Sequence, residues 1–314
     1  MTKPVTMLER EGGCRRKHVW ESISRMRLGN DSGGFTLIEM SFVLVVIGLI
    51  VGGILVGRDM IIAAGVRAQV TEIEKYNTAV NTFRDKFGAL PGDMNSATAA
   101  QFGFTTRAGT QGQGDGNGVI EGENAGTYCE VCQYNGETGL FWVDLSSANG
   151  KNLNLIDQSF YTAVGTGTAG GNPTPVNLYM PTAAIGQQNY VYVYSTGGQN
   201  YFGLSGVAAS HGINTVTVAP ALTVRQAFAL DSKVDDGLPQ SGRVQAIAVN
   251  GAGLEWAQGI NNGASPGQSA SPTTMTCYDN GGSSSNSMLY SLGTYNSAYN
   301  NSNKVNCWLS FQFQ

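Results

Sequence analysis

The sequence predicts an α+β protein, in which a long N-terminal α-helix packs on a C-terminal globular head with an antiparallel β-sheet. An uncharged apolar run over residues 40–57 indicates that the first half of the helix is transmembrane. Apolar positions then recur every three to four residues as far as Phe87, which indicates an amphipathic second half. Short segments of alternating apolar and polar residues follow and predict the sheet. We therefore divide the chain into residues 1–34, 35–57, 58–87 and 88–314.

Charge is sparse and unevenly distributed along the 314 residues. Charged residues make up 13% of the chain, which is about half the usual share. Residues 1–34 hold seven of the 18 Lys/Arg and four of the 22 Asp/Glu, so the remainder carries a net charge of −7. A basic segment before an apolar span predicts a cytoplasmic N-terminus and an exported remainder. The acidic remainder disfavours binding to nucleic acid.

Residues 40–57 are long enough to cross a bilayer, since eighteen helical residues rise about 27 Å. Glu39 stands at the start of this run, and the span holds no basic residue to pair with it. A carboxylate near the hydrocarbon layer is unfavourable unless it has a partner. Cleavage between Gly34 and Phe35 would create an ammonium group one helical turn before Glu39. A neighbouring chain, shifted along the helix axis, would then place its own ammonium against this carboxylate.

The stretch "GGFTLIE" at residues 33–39, followed by the apolar run, resembles the type III signal of type IV pilins and type II secretion pseudopilins. The resemblance implies a pilin-like fold and removal of the leader, residues 1–34, by prepilin peptidase. The peptidase would recognise Gly33 and Gly34, cut after Gly34 and methylate the new N-terminal Phe35. Glu39 matches the acidic residue of the family that pairs with a neighbouring N-terminus during assembly.

The leader and the transmembrane half depart from the family pattern in three ways. A leader of 34 residues is long, and Asp31 stands where a basic residue is common. A start at Met26 would give a leader of the commoner length, so Met1 and Met26 both stay open. The proline that often interrupts the helix is absent, and the glycines of residues 48–57 favour either close helix packing or unwinding in a filament.

The rest of the sequence predicts a head of short elements. Helices are predicted for "NSATAAQFG", for "TGLFWVDLSSANG" as far as Gly150, and for "TVRQAFALDSKVDD" with Thr223 as its cap. The segments "NYVYVYS" and "NYFGLSG" alternate in polarity around "TGGQ" and predict a β-hairpin, and "GRVQAIAVN" predicts a further strand. Residues 261–303 are rich in Gly, Ser, Asn and Tyr and are predicted to form a surface loop region.

The segment "QGQGDGNGVIEGEN" resembles a calcium-binding loop. Its candidate ligands are Asp115, Asn117, the backbone carbonyl near Val119, and Glu121. Gln113 occupies the usual position of the first ligand, and Asn124 that of the bidentate glutamate. The alternative is a Gly-Asn turn that is stabilised by its own side chains.

Five cysteines are present, and only Cys14 precedes the span. Cys129 and Cys132 form a C-x-x-C sequence, for which a local structural disulfide is favoured over a redox or zinc motif. Cys277 and Cys307 would close a loop of about thirty residues near the C-terminus and stabilise the head. That loop resembles the disulfide-bound C-terminal loop of many pilins. A crossed pairing of the four exported cysteines stays open.

The sequence lacks a nucleophile–base pair, a phosphate-binding loop and a complete set of metal ligands, so we predict that the protein is not an enzyme. Apart from the candidate calcium, no cofactor is expected.

The resemblance implies a structural subunit of a type IV pilus or a type II secretion pseudopilus, which forms a helical homo-oligomer. Its implied partners are the membrane, prepilin peptidase and the inner-membrane assembly platform. It would cross the inner membrane once, with the head in the periplasm or at the cell surface. The alternative is an adhesin or ligand-binding module displayed on a filament or an anchor.

Overall fold

The computed structural model describes residues 34–124, 127–146, 153, 155–160, 175–186, 188–211, 215–251, 253–257, 271–281, 288–293 and 299–313. Contacts between residues divide the chain into two units, Met1–Ile54 and Leu55–Gln314. The first contains an apolar helical segment, and the second contains helices and an antiparallel sheet. The predicted α+β class is confirmed.

The described part of the chain contains four α-helices and one 3₁₀ turn. They are α1 (Leu37–Phe87), α2 (Ser96–Phe102), α3 (Gly136–Leu145), α4 (Val224–Val234) and the 3₁₀ turn Val176–Leu178. The cap predicted at Thr223 is confirmed, because Thr223 and Gln226 form a capping box at the start of α4. Helix α3 ends earlier than predicted, at Leu145, because the backbone of Ser146 is extended. Gly150, the predicted end, lies outside the described residues.

The described strands are short and antiparallel. They are β1 (Gly122–Asn124), β2 (Thr127–Cys129), β3 (Asn189–Thr196), β4 (Gln199–His211), β5 (Thr215–Ala219), β6 (Leu222–Thr223), β7 (Val244–Gln245), β8 (Ile247–Asn250), β9 (Gly253–Trp256), β10 (Tyr278–Asp279), β11 (Leu289–Tyr290), β12 (Val305–Cys307) and β13 (Leu309–Gln312). The main sheet has the order β3-β4-β13-β7, with β5 also paired to β4. The other strands form the two-stranded ribbons β1–β2, β6–β12, β8–β9 and β10–β11.

The first unit contains the start of α1, and its apolar side chains are exposed. In the described residues, α1 is the one helix long and apolar enough to cross a membrane. Leu37, Leu44, Leu49 and Ile54 are each more than 60% exposed. Because apolar surface of this extent is unfavourable in water, this segment requires lipid or another protein around it.

In the second unit, α1 buries one face against the head. The buried residues are Val66, Gln69, Ile73, Tyr76, Ala79, Val80 and Phe83. Most of them belong to the apolar stripe that the sequence predicts. Gln69 is polar, and it is tolerated because its Oε1 accepts a hydrogen bond of 3.0 Å from the backbone N–H of Ile185.

The central hairpin, β3–β4, has the predicted turn. Thr196 pairs with Gln199 across Gly197 and Gly198. Both glycines have positive φ angles, +57° and +76°, as a two-residue hairpin turn requires. The predicted β-hairpin is thus confirmed.

Two other segments differ from the prediction. The segment "GRVQAIAVN" forms two strands, because the chain leaves the main sheet after Gln245 and pairs with β9 from Ile247 onward. Part of the predicted surface loop region is a buried ribbon: in β10–β11, Tyr278 and Tyr290 are 0% and 2% exposed.

Candidate functional site

The N-terminal end of α1 brings Thr36 and Glu39 into contact. The backbone N–H and the Oγ1 hydroxyl of Thr36 each donate to Glu39 Oε2 over 2.9 Å. In return, the backbone N–H of Glu39 donates to Thr36 Oγ1 over 3.3 Å. This reciprocal arrangement is a capping box, which satisfies donors at the helix start that have no partner within the helix. The carboxylate of Glu39 is therefore held at the N-terminal edge of the helix.

Thr36 is a residue of this site that our sequence reasoning missed. The signal was present, since "TLIE" contains the threonine and glutamate spacing of a capping box. Phe35 precedes the box and is 77% exposed. A Cβ atom at Gly34 would meet no atom within 4 Å, so a side chain there is compatible with the fold. Gly33 lies outside the described residues.

The glycine-rich loop forms a second polar cluster, around Asp93. Gly112, Gly114, Gly116 and Gly118 all have positive φ, and this alternation directs successive N–H groups to one side of the backbone. Asp93 Oδ1 accepts hydrogen bonds from Gly116 and Asn117 over 2.8 and 3.2 Å, and its Oδ2 accepts one from Gly118 over 2.8 Å. The loop therefore closes around a carboxylate of the same chain.

Glu137, at the start of α3, joins Asp93 and Asp115 in this cluster. The three residues place carboxylate oxygens within 4.8 Å of one another. Glu137 is buried, and it accepts backbone N–H groups from Gly114 over 2.8 Å and Glu121 over 2.9 Å. Burial raises the pKa of Glu137 to about 9 and that of Asp93 to about 6. A cation in the cluster would offset this cost of burying charge.

The other predicted calcium ligands lie at the edge of the cluster. Asn117 donates its amide to Asp115 and Glu121 over 3.1 and 3.4 Å, and its Oδ1 accepts the N–H of Val119 over 2.7 Å. These bonds match the alternative of a turn that its own side chains stabilise. Our sequence reasoning missed Asp93 and Glu137, which lie in "LPGDM" and "NGETG". Both residues are outside the predicted calcium-binding loop, so the ligand spacing within that loop could not indicate them.

The donor chemistry of this cluster suits calcium, which prefers carboxylate oxygens. The backbone N–H groups already bonded to Asp93 and Glu137 compete for those oxygens. Calcium at this site therefore stays a prediction.

If calcium binds, we expect a concentration 100 times the dissociation constant to raise the Tm by about 5–10 °C relative to a chelator. Asp115→Asn should abolish this increase. Asp157→Asn, at an exposed carboxylate, is the matched control and should retain the increase. Equal unfolding temperatures of the parent protein in calcium and in chelator would contradict calcium binding.

The four cysteines that follow the apolar span form two disulfides in the structure. Cys129 pairs with Cys132, and Cys277 pairs with Cys307. The first closes the turn after β2, and the second joins β12 to the chain just before β10. Pairing in the exported protein stays a prediction, which non-reducing peptide mapping would check.

Comparison with known proteins gives a match at the N-terminus. The family model "Prokaryotic N-terminal methylation motif" matches residues 29–55. No curated protein and no solved structure matches the chain significantly. The matched segment contains the predicted cleavage residues, the capping box and most of the apolar half of α1. Residues 29–55 thus carry a prepilin-type signal of the kind found in type IV pilins and type II secretion pseudopilins.

Proposed function

We propose that this protein is a structural subunit of a type IV pilus or a type II secretion pseudopilus and polymerises through its N-terminal helix. The observation that carries the proposal is the methylation motif at residues 29–55, whose part from Leu37 onward forms an exposed apolar helix. From Met40 to Gly57 the sequence holds no charged residue. Such a helix suits two environments in turn, the bilayer before assembly and the apolar interior of a filament afterwards.

The proposed pathway begins in the inner membrane. The basic leader keeps the N-terminus cytoplasmic, where prepilin peptidase cuts after Gly34 and methylates Phe35. The assembly platform then transfers the subunit from lipid to the filament. There the N-terminal ammonium of one chain lies against the Glu39 carboxylate of its neighbour, so that each charge has a partner in an apolar interior.

Processing of Gly34→Val provides the direct test. We expect cleavage to fail, since a branched side chain crowds a peptidase site that accepts glycine. Gly48→Ala is the matched control, because an added Cβ meets no atom within 4 Å at either position. Intact mass and N-terminal sequencing of membrane and filament fractions would show a chain starting at N-methyl-Phe35 for the parent and the control, and an uncut leader for Gly34→Val.

Two outcomes would overturn the proposal. The first is an uncut parent chain in cells with active prepilin peptidase. The second is a processed chain that is absent from the filament body. Labelling of sheared filaments along their length would distinguish a body subunit from a scarce protein displayed at the tip.

A further inference from the structure

Three carboxylates meet where α4 ends. Asp231, Asp235 and Asp236 place oxygens within 4.8 Å of one another. Asp231 is fully buried, Asp235 is half-buried and Asp236 is exposed. Like charges at this separation repel, and burial removes the water that would screen them.

Asp231 connects α4 to the ribbon β10–β11. The Oη of Tyr290, on β11, donates to Asp231 Oδ2 over 2.7 Å, and the ring of Tyr290 lies 5.9 Å from that of Phe228 on α4. The backbone N–H of Gly237 donates to Asp231 Oδ1 over 3.1 Å. One buried carboxylate therefore holds the end of α4, the turn that follows it and β11 together.

The two outer carboxylates are fixed by the same turn. Asp235 Oδ2 accepts the backbone N–H groups of Arg243 and Val244. Asp236 accepts the N–H of Leu238 over 2.8 Å and the hydroxyl of Ser241 over 2.7 Å. These hydrogen bonds hold both outer carboxylates close to Asp231.

The cationic and phenolic side chains near the three aspartates do not form ion pairs with them in the described part of the chain, so the repulsion between the carboxylates remains. Lys233 is on α4 itself, and Arg243 directs its Nη2 to the carbonyl of Gln312 over 3.3 Å. Tyr278 on β10 accepts a hydrogen bond from Gln240 over 3.2 Å. Among the described residues, the ion pairs found are Lys75–Asp157, Arg107–Asp144 and Arg225–Asp59, none of which includes the three carboxylates.

We propose that Asp231, Asp235 and Asp236 form a pH-responsive latch between α4 and β11. A proton held in the cluster keeps the latch closed. Full ionisation builds up charge at three carboxylates that have no ion-pair partner in the part of the chain that the structure describes, and local opening relieves it by admitting water.

The direction of the pH effect follows from the burial of Asp231. Burial raises its pKa to about 7, with Asp236 and Asp235 adding to the increase and the bonds from Tyr290 and Gly237 opposing it. An unfolded aspartate has a pKa of about 3.9, so the folded state binds more protons between these two values. The stabilisation is fully present below about pH 4 and is lost as the pH rises through about 7.

Hydrogen–deuterium exchange of the full-length protein in detergent, with a chelator present, tests the latch. After correction for intrinsic exchange rates, we expect protection of residues 228–238 and 288–292 to fall at least fivefold between pH 5.5 and 8. Asp231→Asn mimics the protonated acid and should change less than twofold. Asp85→Asn, at an exposed carboxylate on α1, is the control and should behave like the parent.

Two further variants should move the transition in opposite directions. Tyr290→Phe removes a donor that favours the ionised form, so its transition should occur at higher pH. Asp236→Asn removes a repelling charge, so its transition should occur at lower pH. The proposal fails if the parent shows no pH dependence, if Asp231→Asn keeps that of the parent, or if these two variants shift it in the same direction.

Discussion

Replacing Arg107 by alanine is expected to lower the free energy of unfolding by about 3–5 kcal/mol, the usual cost of removing one partner of a buried ion pair. The pair between Arg107 and Asp144 is fully buried on both sides. The substitution would remove the guanidinium that pairs with the buried carboxylate of Asp144. In a head of this size the expected fall in Tm is about 10 °C, measurable by thermal unfolding of the full chain in detergent.

The effect should be large because Arg107 also anchors the turn that follows α1. Its Nε donates to the carbonyl of Gly92 over 3.2 Å, and its Nη1 donates to that of Thr105 over 3.1 Å. Asp144 also accepts the N–H of Gly92 over 2.8 Å. The pair therefore attaches the "LPGD" turn to α3, next to the carboxylate of Asp93 that the glycine-rich loop surrounds.

An exposed ion pair provides the matched control. Arg225 and Asp59 are 3.5 Å apart, with side chains 55% and 68% exposed. Arg225→Ala should cost less than about 1 kcal/mol, since solvent screens exposed pairs. Equal losses for the two arginine variants would mean that the buried pair contributes no more to stability than a surface contact.

The spacing of apolar residues predicted the parts of the fold in which those apolar residues are the buried ones. The stripe from Val66 to Phe83 forms the buried face of α1, and alternation around two glycines predicted the hairpin β3–β4. Both patterns are local, so a window of a few residues contains them. The break in "GRVQAIAVN" is not local, because β7 pairs with β13 and β8 pairs with β9, and no property of Ala246 signals the change.

The polar sites likewise fall into those that a local sequence pattern indicates and those that only contacts between distant residues create. Glu39 stands out in the sequence because it interrupts an apolar run. Asp93 and Glu137 do not stand out, since the hydrogen bonds that define their cluster connect residues 23–25 and 16–23 positions apart. Asp231 lies near the end of the predicted helix "TVRQAFALDSKVDD", where no local pattern indicates that it is buried. Its burial results from contact with Tyr290, 59 positions later, within a region that its composition predicted to be a surface loop.

Removal of the Glu39 carboxylate is expected to stop filament formation without stopping membrane insertion or processing. Glu39→Ala removes a charged group from the apolar region, so insertion should be as good or better. Cleavage after Gly34 should continue, because that site is cytoplasmic in the proposed topology. Assembly should fail, since the neighbouring Phe35 ammonium would enter an apolar interior without its counter-charge.

The capping box makes it possible to separate the charge of Glu39 from its role at the helix start. Glu39→Gln keeps an oxygen that can accept from Thr36, as Oε2 does over 2.9 Å, but it loses the charge. If the charge drives assembly, both variants should accumulate as processed protein in the inner membrane, and sheared filaments should fall at least tenfold. Filaments from Glu39→Gln but not from Glu39→Ala would assign the requirement to the cap. A normal filament yield from Glu39→Ala would show that neither the charge nor the cap is the assembly contact.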